Sequence, residues 1–146
     1  MISLTLAEAA QAVGGTLDGA DPQAVITGAV VTDNRQIEPG GLFVCVLGER
    51  VDGHEFAAKA VADGAVAVLA TRPVGVPAIL VDDVVVALGR LARAVVARSA
   101  DVRIVGLTGS AGKTSTKDLI GQLLSGHGET VFPAGSHNNE IGHPLT

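Results

Sequence analysis

A chain of 146 residues with a formal net charge of −5, no Trp or Tyr, and only Phe43, Phe56 and Phe132 as aromatics is sized for one domain, or for a small domain joined to the beginning of another. Its apolar residues, mostly Ala, Val and Leu, are enough for a core. The scarcity of aromatics and the lack of a Lys/Arg cluster exclude base stacking and a general polyanion-binding surface, so no nucleic-acid partner is expected.

In chain order, Thr5 followed by Glu8 predicts a short capped first helix that stops at Gly14-Gly15. The N-terminus has no basic region leading into an apolar core, and no apolar stretch is long enough to span a bilayer, which predicts a cytoplasmic protein without membrane insertion. Val25 to Val31 and Leu42 to Val46 predict strands, separated by the polar stretch Asp33-Asn34-Arg35 and Pro39-Gly40-Gly41. Cys45 lies within the second run and reads as a buried small hydrophobe suited to a reducing compartment. His54 to Asp63 has helical spacing, Ala65 to Ala70 and Ala78 to Val81 predict two more strands, and a longer helix runs from about Asp83 to Arg98 with Asp82 or Asp83 as its cap. Beyond Ser99 the pattern predicts a strand Val102 to Leu107, a glycine loop, a helix from Lys113 to about Leu124 and a strand Glu129 to Phe132. That is the strand-helix-strand unit of a parallel sheet. The expected fold class is α/β: a small mixed domain over residues 1–82, a connecting helix over 83–100, and the truncated start of a P-loop parallel-sheet domain over 101–146.

The strongest chemical signal is Gly106 to Ser115. Its glycines Gly109 and Gly112 let the backbone approach phosphates, the following helix points the positive end of its dipole at them, Lys113 adds a charge, and Thr114 offers a hydroxyl to Mg²⁺. The strict phosphate-loop pattern has glycine where this chain has Leu107. A second constellation joins Thr32-Asp33-Asn34-Arg35 with Gly48-Glu49-Arg50-Val51-Asp52-Gly53-His54. Taken alone each piece is a turn, but two polar loops flanking one strand suit a polar ligand, with Arg35 and His54 as donors. A third, Ser136-His137-Asn138-Asn139-Glu140-Ile141-Gly142, is placed by the predicted sheet at the same carboxyl edge as the glycine loop. Its histidines lack the partners of a zinc site.

These motifs together resemble the Mur ligases. Thr108-Gly109-Ser110-Ala111-Gly112-Lys113-Thr114-Ser115 is similar to that family's phosphate loop, in which the non-glycine at Leu107 is usual. The Thr32-Asp33-x-Arg35, Pro39-Gly40, Leu42-Phe43-Val44, Gly48 and Asp52-Gly53-His54 series resembles the domain that holds the UDP end of the substrate. Asn138-Asn139-Glu140-Ile141-Gly142 resembles the members that add D-Ala-D-Ala.

The resemblance implies an ATP- and Mg²⁺-dependent amide ligase of peptidoglycan precursor synthesis, joining D-Ala-D-Ala to UDP-MurNAc-tripeptide through an acyl phosphate. It also implies a monomer that, as an N-terminal piece, lacks full activity. Thr108 to Ser115 become ATP contacts, with Lys113 and Thr114 catalytic and Thr114 also on the metal. Thr32, Asp33, Asn34, Arg35, Gly48, Asp52, Gly53, His54, Asn138 and Asn139 become substrate contacts. Asn34 stands where the family usually has serine. The alternatives are a sister ligase adding a diamino acid and a non-catalytic UDP-sugar-binding module.

Overall fold

The computed structural model describes residues 3–48, 51–99, 101–133, 141–142 and 144–145. Strand β1 (Leu4–Thr5) leads into helix α1 (Leu6–Val13), then β2 (Thr16–Asp18), β3 (Val25–Ile26), β4 (Val30–Val31) and β5 (Leu42–Val44). Helix α2 (Ala57–Ala62), β6 (Ala67–Ala70), β7 (Ala78–Leu80), α3 (Val84–Arg98) and α4 (Lys113–Ser125) complete the order. The main sheet runs β2-β7-β6-β5-β4; β4 to β7 are parallel and β2 closes the edge antiparallel. β1 and β3 form a separate antiparallel pair.

Side-chain alternation along the parallel strands builds two cores. Leu42 and Val44 of β5, Ala67 and Leu69 of β6 and Ile79 of β7 face α1 and α3. Phe43, Cys45, Val68, Ala70 and Ala78 face α2. Strands covered on both faces must be apolar at every position, which is why their sequences are continuous apolar runs. Helix α3 is more than a connection: Val84, Ala87, Leu88 and Leu91 are buried against α1, each of the larger side chains contributing about 1.5–3 kcal/mol. Ile141 and Leu145 also pack on this first core.

Helices α1 and α3 start as the sequence predicts. Thr5 and Glu8 form the reciprocal capping box of α1, with Glu8 N donating to Thr5 Oγ1 at 3.2 Å and Thr5 N to Glu8 Oε2 at 2.8 Å, and left-handed Gly14 ends the helix. Asp83 caps α3, its Oδ1 accepting from Val85 N at 2.8 Å and Val86 N at 3.0 Å.

Three strand expectations are corrected. Val25 to Val31 is two strands in two sheets, because Thr27 and Gly28 turn away to donate their N–H groups to Gly40 O at 3.0 and 2.9 Å. Gly28 lies so close to that loop that a Cβ on it would sit 2.7 Å from Gly41 N. The other two, Val102 to Leu107 and Glu129 to Phe132, form no strand, and of the expected strand-helix-strand unit only α4 is regular. A parallel strand exists only through a neighbour's hydrogen bonds, and among the described residues neither run has one; Val102, Ile104 and Val105 are accordingly exposed. Phe132 lies instead on α4, where a Cβ on Gly121 would meet its ring at 2.5 Å. The predicted helix from His54 is a 3-10 turn, Gly53–Phe56, followed by α2.

Candidate functional site

The parallel arrangement sends the chain segments after β4, β5 and β6 to a single edge. After β4, half-buried Thr32 leads into a 3-10 turn, Asn34–Gln36, capped by Asp33. Asp33 Oδ1 accepts from Arg35 N at 3.0 Å, and its carboxylate takes a two-pronged contact from the Arg35 side chain, Nε to Oδ1 at 2.9 Å and Nη2 to Oδ2 at 2.6 Å. The Arg35 guanidinium is the main cause holding the Asp33 carboxyl down at about 2. Asn34 is the first residue of that turn.

After β5 the chain doubles back. Gly48 N donates to Val51 O and Gly53 N to Val46 O, both at 3.0 Å, and Asp52 caps the 3-10 turn that begins at Gly53. Gly53 is packed against Val46, where a Cβ would lie 2.7 Å from the carbonyl oxygen. His54 is buried, and both ring nitrogens are engaged. Nδ1 faces Asp52 Oδ1 at 2.6 Å, while Nε2 accepts from Thr71 N at 3.1 Å with the Thr71 hydroxyl also at 3.1 Å. A ring nitrogen that accepts a backbone N–H carries no proton, so His54 is neutral with its proton on Nδ1, donated to Asp52. The other oxygen of Asp52 receives Arg72 Nη2 at 2.6 Å. Arg72, and then the backbone and side chain of His54, hold the Asp52 carboxyl well below the usual range. His54 is thus an internal strut and not an outward-facing donor.

Thr71 and Arg72, which follow β6, are site residues that the sequence reading missed. The available signal was a polar, charged pair directly after an apolar strand, on the edge already carrying the two predicted loops.

The glycine loop approaches α4 through Gly112, left-handed at φ 76, and α4 has no side-chain cap. The N–H groups of its first turn therefore have no partner from a capping side chain and face outward, as an anion site requires. Lys113 Nζ folds back to donate to the Gly109 carbonyl, keeping the ammonium over the loop. Thr108, Ser110, Ala111, Thr114 and Ser115 are exposed. Asn138 and Asn139 lie outside the described residues. Among the described residues, no group of three His, Cys, Asp or Glu is placed to hold a metal ion.

An α/β sheet presents braced polar loops at its carboxyl edge and is followed by a glycine loop opening an uncapped helix, the features from which a nucleotide-phosphate site is built. Comparison with known proteins narrows that reading. Residues 27–96 match the family model described as Mur ligase family, catalytic domain; the match falls wholly within the first sheet and α3 and ends before the glycine loop. The UDP-N-acetylmuramoyl-tripeptide–D-alanyl-D-alanine ligase of Mycobacterium tuberculosis is 47% identical over 100% of this chain and 34% of its own length. A crystal structure of MurF from Acinetobacter baumannii superposes on 98% of this chain and 32% of that one with a TM-score of 0.86 at 34% identity. MurF from Thermotoga maritima, solved in complex with ADP, covers 82% of this chain and 28% of its own with a TM-score of 0.71 at 36% identity. Residues 27–96 thus carry a Mur ligase family domain, and the chain spans about a third of the length of the relatives it matches.

Proposed function

We propose that this chain supplies two substrate sites of an ATP-dependent ligase that joins D-Ala-D-Ala to UDP-N-acetylmuramoyl-tripeptide. The observation that carries the reading is the uncapped, glycine-led start of α4 with Lys113 drawn over its loop, in a chain similar along its whole length to ligases of that name. That the Thermotoga maritima relative was solved in complex with ADP supports an adenine nucleotide as a ligand.

The chemistry suits the parts. A carboxylate is a poor acyl donor, and transfer of the γ-phosphoryl group of ATP to the tripeptide carboxylate makes an acyl phosphate that an amine attacks with phosphate leaving. Backbone N–H groups of Gly109 to Ser115 and the Lys113 ammonium would hold the phosphates and offset the charge that develops during transfer. Mg²⁺ bound with a nucleotide keeps several waters and takes oxygens from the phosphates, so the exposed Thr114 hydroxyl would be one protein donor to it; the ion would supply Lewis-acid neutralisation of the phosphates. Thr32 to Arg35, Gly48 and Gly53 would take the UDP end, with Asp52 and the buried His54 bracing that loop, and Asn138 and Asn139 the region between the two substrates. Such a ligase works in the cytoplasm, as a monomer, and its full turnover belongs to a polypeptide of the relatives' length.

Titration provides the test. ATP–Mg²⁺ should bind the chain, and Lys113→Ala should weaken it by about 1.5–3 kcal/mol, the range for a hydrogen bond to a charged group. Unchanged ATP affinity in Lys113→Ala would remove the loop from the reading. A protein of the relatives' length that releases ADP without any dependence on D-Ala-D-Ala would remove the ligase.

A further inference from the structure

The segments after β5 and β6 are tied by a closed ring of hydrogen bonds. Thr71 N donates to His54 Nε2 (3.1 Å), His54 Nδ1 donates to Asp52 Oδ1 (2.6 Å), and Arg72 Nη2 donates to Asp52 Oδ2 (2.6 Å); the ring closes because Thr71 and Arg72 are consecutive. Its outcome is one guanidinium held in a fixed place. A guanidinium has five N–H donors; Asp52 is the partner recorded for one Arg72 nitrogen, and the Arg72 side chain remains 55% exposed. Arg35, by contrast, spends both Nε and Nη2 on Asp33.

We propose that Arg72 is a binding residue for a phosphate of the nucleotide end of the substrate, with Asp52 and His54 acting as positioning residues for it. This rests on reading the first edge as the UDP site. Three features favour it. Arg72 emerges from the same carboxyl edge as Arg35, two strands away, roughly 10 Å at ordinary strand spacing, so the two guanidinium groups flank the loop after β5. Its side-chain freedom is already restricted by Asp52, which lowers the ordering cost of ligand contact. The Asp52 carboxylate is turned towards three donors, His54 N at 2.9 Å, His54 Nδ1 and Arg72 Nη2, and is shielded by them from an anion approaching the outer side of the guanidinium. Planar, charge-assisted donation to phosphate oxygens is what a braced arginine offers and a lysine does not reproduce.

The experiment is calorimetric titration of the chain with UDP-N-acetylmuramoyl-tripeptide, with UDP and uridine measured as its competitors, for the parent, Arg72→Gln and Arg72→Lys. Arg72→Gln should weaken the tripeptide ligand and UDP about tenfold, the size of one charge-assisted contact. Uridine, which has no phosphate, should be unaffected, and Arg72→Lys should recover part of the loss. Equal binding of UDP by the parent and Arg72→Gln overturns the inference and leaves the UDP site standing. An equal loss for uridine and UDP together with a lowered unfolding midpoint reduces Arg72 to a brace and also overturns it. A parent chain with no affinity for the tripeptide ligand overturns the UDP site itself, and the inference with it.

Discussion

Gly53 joins the fold to the candidate site through a close backbone approach, and Gly53→Ala tests that junction. Its φ is not in the left-handed region, so alanine carries no backbone penalty there and the effect is steric alone. A Cβ would stand 2.7 Å from Val46 O, 2.8 Å from Val46 N and 3.0 Å from Cys45 C, all backbone atoms that no rotamer change moves aside. The segment must separate from Val46, straining or breaking the Gly53 N to Val46 O bond of 3.0 Å. Overpacking of this kind costs about 1–3 kcal/mol, and the net loss of a hydrogen bond about 0.5–1.5 kcal/mol, giving an expected destabilisation of roughly 1.5–4.5 kcal/mol. Urea unfolding followed by far-UV circular dichroism measures it, with Gly89→Ala as the internal control. Gly89 lies within α3 with open space around its Cβ position, so alanine there should stabilise by about 0.8–1 kcal/mol. A Gly53→Ala chain within about 0.5 kcal/mol of the parent, the scatter of an ordinary surface change, would refute the close approach of the site loop to β5.

Two further outcomes are expected. Burial pushes the Cys45 thiol up to about 12, so iodoacetamide at about pH 8 should leave the native chain unlabelled and react once urea unfolds it; rapid stoichiometric labelling of the native chain would contradict the packing. The carboxyls of Asp33 and Asp52 both lie below the ordinary value of about 3.9 in the folded chain, so the unfolded chain binds their protons more strongly. Their contribution is complete above about pH 4 and is lost as the pH falls from there through their folded values. Urea midpoints should therefore drop below about pH 4, and Asp52→Asn should flatten that drop; an unchanged acid profile in Asp52→Asn would count against the ring.

What the sequence made legible follows from how local each cause is. The starts of α1 and α3 were readable because a cap is decided within four residues, by Thr5 with Glu8 and by Asp83 with Val85 and Val86. The two-faced burial of β5 and β6 was readable because both runs are apolar without alternation. The break at Thr27-Gly28 was not, since it depends on the carbonyl of Gly40, brought there by the fold. β1 and β2 went unseen for the same reason: two or three residues such as Thr16–Asp18 carry no period and become a strand only through the register Thr16 to Leu80. Val102 to Leu107 shows the converse. It is as suitable for a strand as Ala67–Ala70, yet β6 has β5 and β7 on its two sides and the later run, among the described residues, has neither. Apolar character marks a segment that is able to be a strand, and only a neighbour makes it one.

The same distinction divides the site. Asp33 and Arg35 are two residues apart, and their pairing is written in a turn that any reader of Asp-Asn-Arg would consider. Asp52 and Arg72 are twenty apart, and nothing in either neighbourhood predicts the other. What connects them is the parallel β5-α2-β6 crossover, which returns the chain to the edge it left and sets Thr71 and Arg72 beside the loop that ends in His54. His54 was therefore chosen for a sound reason and given the wrong orientation: a histidine after Asp-Gly in a polar loop reads as an outward donor, whereas the fold turns it inward and passes the outward role to Arg72. An edge built this way puts its exposed cation on the strand end, the most rigidly placed backbone available, and leaves the loop to supply the brace. A ligand that needs a charge at a fixed distance from the rest of its site is better served by that division than by an arginine on the loop itself.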